Sequence, residues 1–523
     1  MKEKFLKILN SNIFYTFIYA IFTLVIVLHH EIWADEAQVW QLVKNLSVVE
    51  LFKHLVNEGH PAFFYLINMP FAKLENWGFS IFAMQFICWF ASCMAVYLFL
   101  RFSPFNKWAK FAVVTSAGFL YFFPVIARSY SIIPLLVFAI AILYKKSDKH
   151  PLWYAFLIFI TANTHVIMFG FCAILMLEFL YRNFIKDNFC FSSFKALAKN
   201  PKGMETKKQV QGDNKKQNTK IIALGIMLLG LIAVVLQLHG TTSSNAFIRL
   251  DISQFTQNTF KVVSQFFINC IDNRYPELHS IMCPLFSIPA ILISVFTYLS
   301  LFILLFLKDK KLFSIAFFSI LFQLLIYIIG YNHWIFVTRI FCAHVILIFC
   351  IWILLENENI SQRCKKGFNI LLTAFFLLTF LNGLRYSILD YRYNYSSAKE
   401  TAEYIIKNID SKNSVIISDN SPYVISVVYY LHDKNKIFLA QTDDYLKYVV
   451  WEEYLQHLLS QKNWRVYVDK FIGTKDKTIY AIIPFFNEKK LGVKNLESFE
   501  LIYQSSPAIV NGEGFKIYKY IEK

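Results

Sequence analysis

Among the nine cysteines of the 523-residue chain there is no CxxC pair and no zinc-like spacing. A metal-stapled or dithiol redox fold therefore has no sequence support. Cys88, Cys93, Cys172, Cys342 and Cys350 fall inside apolar runs and read as small packing residues. Only Cys270 and Cys283 flank the same expected external region, the one place where a disulfide has weak sequence support, while Cys190 and Cys364 lie in basic loops. Internal repeats are absent, and so are polar or Gly/Pro-broken spans at midplane depth, the two marks of a transporter. The basic start and first apolar stretch lead to no small-residue cleavage site, so the first span is read as uncleaved. Acid is scarce, with 35 Asp and Glu against 52 Lys and Arg and a formal charge of +17.

What is abundant is apolar surface. The chain is 56% hydrophobic with 55 phenylalanines, and its mean hydropathy is +0.45. Runs such as 221–238, 281–306 and 337–355 are long enough to cross a hydrocarbon core as helices. The expectation is a polytopic membrane protein.

The basic surplus records topology rather than a nucleic-acid partner. Spans are expected near 12–29, 79–99, 111–126, 131–144, 152–169, 170–182, 221–238, 281–306, 312–330, 337–355 and 367–384, about eleven in all. With the N-terminus cytoplasmic, every inner loop (100–110, 145–151, 183–220, 307–311 and 356–366) carries a Lys/Arg cluster, and the outer loops carry few. The stretch 60–77 is apolar but short and holds two prolines. Counting it as a span would spoil the alternation, so it is expected as a juxtamembrane helix in the first external loop. The 183–220 stretch reads as a flexible cytoplasmic linker.

Composition changes after about residue 390. Residues 1–390 read as the membrane domain and 391–523 as a small, cysteine-free, extracytoplasmic α/β domain. Its expected strands are SVIISD, KIFLA, WRVYVD, TIYAIIPFF, FELIYQS and GFKIYKYI, with helices near 397–409 and 443–461. Ser397 and Glu400 have capping-box spacing.

On this topology the unusual polar residues sort to the outer face. The first external loop holds His29, His30, Asp35, Glu36, Glu58 and His60. Later outer turns carry Arg128 and Tyr130, Asn163 and His165, then His333 and Arg339. Ionisable groups near membrane depth are costly and tend to face cavities where chemistry occurs. Read singly, each has an ordinary explanation. Asp35 and Glu36 suit any helix start, Arg128 and Arg339 suit snorkelling, and His165 and His333 suit satisfied hydrogen bonds. His344 is expected to pack within its span, and Glu178 to pair locally. Collected on one face, acid, histidine and arginine suit a lipid phosphate that presents a sugar. Arginines bind the phosphate, a carboxylate takes the acceptor's proton, and the anomeric carbon passes through a cation-like transition state.

The order WADEAQ, GHPAFFYLI, ARSYSIIPLLVFAIAIL, THVIMFG resembles the membrane-embedded glycosyltransferases of the GT-C fold. The likeness is to the branch of protein O-mannosyltransferases and lipid A aminoarabinose transferases, and its motifs lie within residues 10–185. The resemblance implies a GT-C-type membrane domain that acts as an inverting glycosyltransferase. Its donor would be a polyprenyl-phosphate-linked sugar and its acceptor a hydroxyl of a lipid, glycan or protein. It implies Asp35 as the catalytic acid residue with Glu36 its neighbour, and His60-Pro61 as the HP element; the outer-face topology adds His60, Arg128, Tyr130, His165, His333 and Arg339 as the residues expected on the substrate. Ala62 stands where many members have a second proline, and Glu58-Gly59 where the aminoarabinose transferases have a lysine. No cofactor is expected; a divalent ion held by Asp35, Glu36 and His60 is the alternative arrangement. The expected location is the bacterial inner membrane. The other functional class is a non-enzymatic membrane protein, such as a lipid or polysaccharide transporter.

Overall fold

The structure, a computed structural model, describes residues 11–185, 207–239, 288–329, 337–418, 421–432, 434–439, 444–451, 477–485, 498–510 and 512–521. Expectations for His333, Cys190, Cys270, Cys283, the WRVYVD strand and most of the 183–220 linker lie outside these residues.

The first 29 residues end in α1 (Asn12–His29), started by Ser11, whose side chain accepts from the Phe14 amide. Three short helices follow: α2 (Ala34–Asn45), α3 (Val48–Glu58) and α4 (Phe63–Lys73). A Ser47/Glu50 capping box opens α3, and Gly59 closes it at φ 67°. That left-handed turn, open to glycine at no steric cost, delivers His60-Pro61 into α4. With 11 residues, α4 is about 16 Å long at 1.5 Å per residue, half a hydrocarbon core. The 60–77 stretch is thus a short helix and a 3₁₀ turn, too short to span.

The apolar bundle continues with α5 (Phe82–Phe102), α6 (Lys107–Val114), α7 (Ile133–Tyr144), α8 (Pro151–Ala162), α9 (Phe169–Leu180), α10 (Lys207–Leu238), α11 (Ile288–Lys308), α12 (Lys310–Ile329), α13 (Val337–Leu355) and α14 (Gln362–Arg392). Between α6 and α7 a π-turn at Gly118–Phe122 runs into Phe123–Val125, and this Gly118–Val125 segment is bent by 51° from α6. The bend packs closely on α14: a Cβ on Gly383 would sit 2.7 Å from Ala117 Cα, and Thr379 Oγ1 accepts from the Ala117 amide at 3.3 Å. Among the described residues, six helices are long and apolar enough to cross a membrane, or seven counting the bent pair. The remaining expected spans are occupied by shorter apolar helices. Aromatic rings fill the centre; His344 packs there against Phe341, Tyr298 and Phe375.

After α14 come α15 (Ala398–Asn408), β1 (Ser414–Ser418), α16 (Ser421–Leu431), β2 (Ile437–Leu439), β3 (Asp444–Tyr445), β4 (Thr478–Pro484), β5 (Phe499–Gln504) and β6 (Phe515–Tyr520). They build one six-stranded mixed sheet in the order β3-β2-β1-β4-β6-β5, with β1 parallel to β2 and β4. Two expectations fail here. Ser397 and Glu400 form no capping box: Ser397 Oγ donates to the Ser506 carbonyl, and Glu400 takes the Ser506 hydroxyl at 2.6 Å. A tertiary partner outcompeted the local one. The 443–461 pattern is not helical at its start, where Asp444 and Tyr445 pair with β2.

This sheet does not form a core of its own on the side facing the bundle. Ala398, Ile405, Ile416, Val424 and Ile517 share one hydrophobic cluster with Trp40, Leu51, Phe64 and Met84 of α2, α3, α4 and α5. The sheet and the first-loop helices fold as one apolar layer at one end of the bundle.

Candidate functional site

The site lies where α2 enters that layer. Asp35 and Glu36 occupy the first turn of α2, where the helix dipole favours negative charge. The Asp35 side chain is 29% exposed and its Oδ2 lies 3.4 Å from Nη1 of Arg128. The same Nη1 donates to the Asp35 carbonyl at 2.6 Å. Nη2 of Arg128 reaches Nε2 of His60 at 3.2 Å. One buried guanidinium thus bridges the acid of α2 and the HP element. Arg128 donates to His60, so the imidazole is neutral and accepts. Burial, then the charges of Arg128 and Arg339, push its pKa down to about 3.

The His60 ring packs against that of His165 with centroids 4.7 Å apart and planes tilted by 41°, and the Tyr130 ring lies 6.3 Å from that of His165. Burial and then the neighbouring His60, Arg339 and Arg128 hold His165 well below the ordinary histidine range. The Ile167 amide donates to His165 Nδ1 at 3.3 Å, which leaves the proton of the neutral ring on Nε2. That Nε2 is buried and has no hydrogen-bond partner among the described residues. A buried N–H donor without an acceptor calls for one.

The HP turn is held from elsewhere in the chain. Gln237 Oε1 accepts from the Ala62 amide at 2.7 Å, its Nε2 donates to Asn163 Oδ1 at 3.0 Å, and the Asn163 carbonyl accepts from Phe63 at 3.2 Å. Glu58 adds a second carboxylate, taking hydrogen bonds from Gln38 at 2.8 Å and Tyr65 at 3.3 Å, with His54 at 3.1 Å.

Glu36 is placed differently from its neighbour. Its side chain is fully buried; Oε1 accepts from the Ala127 amide at 2.6 Å and Oε2 faces His30 Nε2 at 3.3 Å. His30 Nδ1 lies 2.7 Å from Asp390 Oδ2, which also accepts from Tyr121 at 2.9 Å. Burial alone would disfavour the imidazolium, but Asp390 and then Glu36 outweigh it and raise His30 to about 10. Glu36 therefore braces the residue preceding Arg128 and ties it to α14. The divalent-ion alternative fits poorly with these residues. Both Glu36 oxygens are engaged, and His60 Nε2 already faces a cation. Among the described residues no group of three or more His, Cys, Asp and Glu is arranged to hold a metal.

No family model matches the chain, and no curated protein matches it. Two solved structures resemble it along nearly their whole length. Both are crystal structures of ArnT from Cupriavidus metallidurans. The apo form is 10% identical with a TM-score of 0.37, covering 95% of this chain and 96% of that one. The form bound to undecaprenyl phosphate is 9% identical with a TM-score of 0.36, covering 97% of each. With likeness this distant, function is argued from the chain's own residues.

Of the residues singled out in the sequence, the structure brings together Asp35, His60, Arg128, Tyr130 and His165, with Arg339 close enough to act on both histidines. It turns Glu36 into the buried brace. Asp390 and Gln237 were not foreseen. Gln237 sits within an apolar run and Asp390 near the end of one, so a polar residue in an apolar run was the available signal.

Proposed function

We propose that the chain is an inverting glycosyltransferase that moves a sugar from a polyprenyl-phosphate donor to a hydroxyl acceptor at the outer face of a membrane. The observation that carries this reading is the Asp35–Arg128–His60 bridge beside the unpartnered Nε2–H of His165. A partly exposed carboxyl group, a buried guanidinium and a buried N–H donor with no acceptor among the described residues form the complement of a phosphate ester and an attacking hydroxyl.

In this reading the phosphate oxygens accept from Arg128, Arg339 and His165. Asp35, the partly exposed carboxylate, takes the proton of the acceptor hydroxyl. The acceptor oxygen bonds to the anomeric carbon from the face opposite the phosphate, and the carbon–oxygen bond to phosphate breaks with the electron pair leaving on the phosphate. The leaving group is stable as an anion and needs positive charge rather than a proton donor, which Arg128 and Arg339 supply. Tyr130 and His60 line the same cluster. The bracing of Ala127 by Glu36 fixes the backbone from which Arg128 extends. His333, between α12 and α13 in sequence, is assigned to the same substrate face.

Undecaprenyl phosphate is the probe. Native mass spectrometry of the full-length protein in detergent is expected to detect one bound lipid. Arg128→Gln should weaken binding about 10- to 100-fold, the value of one charge-assisted hydrogen bond. Unchanged affinity in Arg128→Gln would refute the phosphate role and the reading with it.

A further inference from the structure

The helix that carries Asp35 has no cap of its own. Its N-cap residue is Trp33, whose side chain makes no capping hydrogen bond. The first turn of a helix exposes amides that need acceptors, and in a buried layer water does not supply them. Here the acceptor comes from 479 residues away: the Ala34 amide donates to Glu513 Oε1 at 2.8 Å.

Glu513 is itself fully buried and held on every side. Its Oε2 accepts from Ser396 Oγ and from Ser426 Oγ, both at 2.7 Å. Its carbonyl accepts from the Ser397 amide at 2.8 Å. Gly512, at φ 95°, makes the left-handed turn that brings Glu513 inward before β6. Burial raises its carboxyl to about 7, the serine hydroxyls and Ala34 amide oppose the rise, and the charge of Asp35 adds to it.

Two further contacts from the same C-terminal elements flank this one. Tyr430 of α16 accepts from the Ile32 amide at 2.8 Å. Gln38, one turn beyond Ala34, exchanges a pair of bonds with Val449, at 2.9 and 2.7 Å. Among the described residues, C-terminal segments therefore hold the start of α2 at Ile32, Ala34 and Gln38, and of these three contacts the one at Ala34 is made by a carboxylate.

We propose that Glu513 is a positioning residue: it acts as the missing N-cap of α2, so that the C-terminal sheet fixes the turn from which Asp35 works. This rests on the reading of Asp35 as the base. It assigns the C-terminal elements a part in transfer itself rather than in recognition of a separate partner.

The test uses the full-length protein and two variants. Glu513→Ala removes the acceptor; Glu513→Gln keeps a carbonyl oxygen for the Ala34 amide. Hydrogen exchange of peptides covering 34–41 should quicken about 2- to 30-fold in Glu513→Ala, the range a lost N-cap commands. Exchange in β1, which Glu513 does not touch, and affinity for undecaprenyl phosphate should stay within about 2-fold of wild type, while the envelope product missing from a deletion strain is no longer restored. Glu513→Gln should return both exchange and product to the wild-type level. The proposal falls if α2 exchange is unchanged in Glu513→Ala, if a frayed α2 still restores the product, or if lipid affinity is lost in step with the product. It also falls if Glu513→Gln behaves as Glu513→Ala, and that variant decides the matter should Glu513→Ala fail to reach the membrane. Failure of the wild-type protein to bind the lipid would overturn the transferase reading alone, because the exchange comparison of α2 does not depend on it.

Discussion

The two ends of the helical bundle both collect charge, and they do so differently. At the end away from the sheet, Glu178 pairs with Lys311 at 2.8 Å and with Arg182 one turn along its helix at 3.6 Å, Arg182 faces Asp148 at 3.8 Å, and Lys145 faces Glu356 at 3.5 Å. The basic partners there are 24% to 51% exposed. At the sheet end, Glu36, His30 and Asp390 are fully buried from solvent, and Arg128 is nearly so. Water screens the first set and makes each pair worth little. The second set is desolvated, so each group depends on its partners and the arrangement is expensive unless it serves a purpose. The charge that marks topology and the charge that marks a site differ in burial and in sequence separation more than in residue type.

Removing one member of the buried set should have the largest effect. His30→Gln leaves Glu36 and Asp390 without their cation and is expected to destabilise the protein by about 3–5 kcal/mol, measured by denaturant titration in detergent. The brace also carries a pH signature. His30 is raised to about 10 from an ordinary 6.5, so its stabilisation is complete below about 6.5 and is lost as pH rises toward 10. Thermal midpoints of the wild type should fall across that alkaline window. The fall should be absent from His30→Gln; an equal fall in both would remove His30 as its source. The smallest effect is expected at the other end. Lys311→Gln should change stability by less than about 1 kcal/mol and leave restoration of the envelope product unaltered. A loss of product there would erase the distinction between the two ends.

Much of this was legible in the sequence because membrane solvent writes strong rules. Apolar runs and basic loops marked the helices, and short runs rich in β-branched and aromatic residues such as TIYAIIPFF and FELIYQS marked β4 and β5. Asp35, His60, Arg128 and His165 stood out because ionisable residues beside apolar runs are rare. What stayed hidden was long-range. Glu513 looks like an ordinary surface acid in NGEGF, and nothing local ties it to Ala34. Glu400 has the spacing of a cap, yet Ser506 offered it a better partner. SPYVISVVYYL is rich in β-branched and aromatic residues, yet it forms α16 because packing on α2 and α15 overrides propensity. Nor does a sequence distinguish Asp35 from Glu36. One residue of helical rotation separates a partly exposed carboxylate from one sealed against Ala127 and His30.

That distinction is the most direct test of the account. Asp35→Asn, expressed in a deletion strain, should insert in the membrane and bind undecaprenyl phosphate as the wild type does, while mass analysis of envelope lipids and glycans finds the missing product reduced by about 100-fold or more, as expected for loss of a general base. Normal product from Asp35→Asn would contradict the assignment of Asp35 as the base.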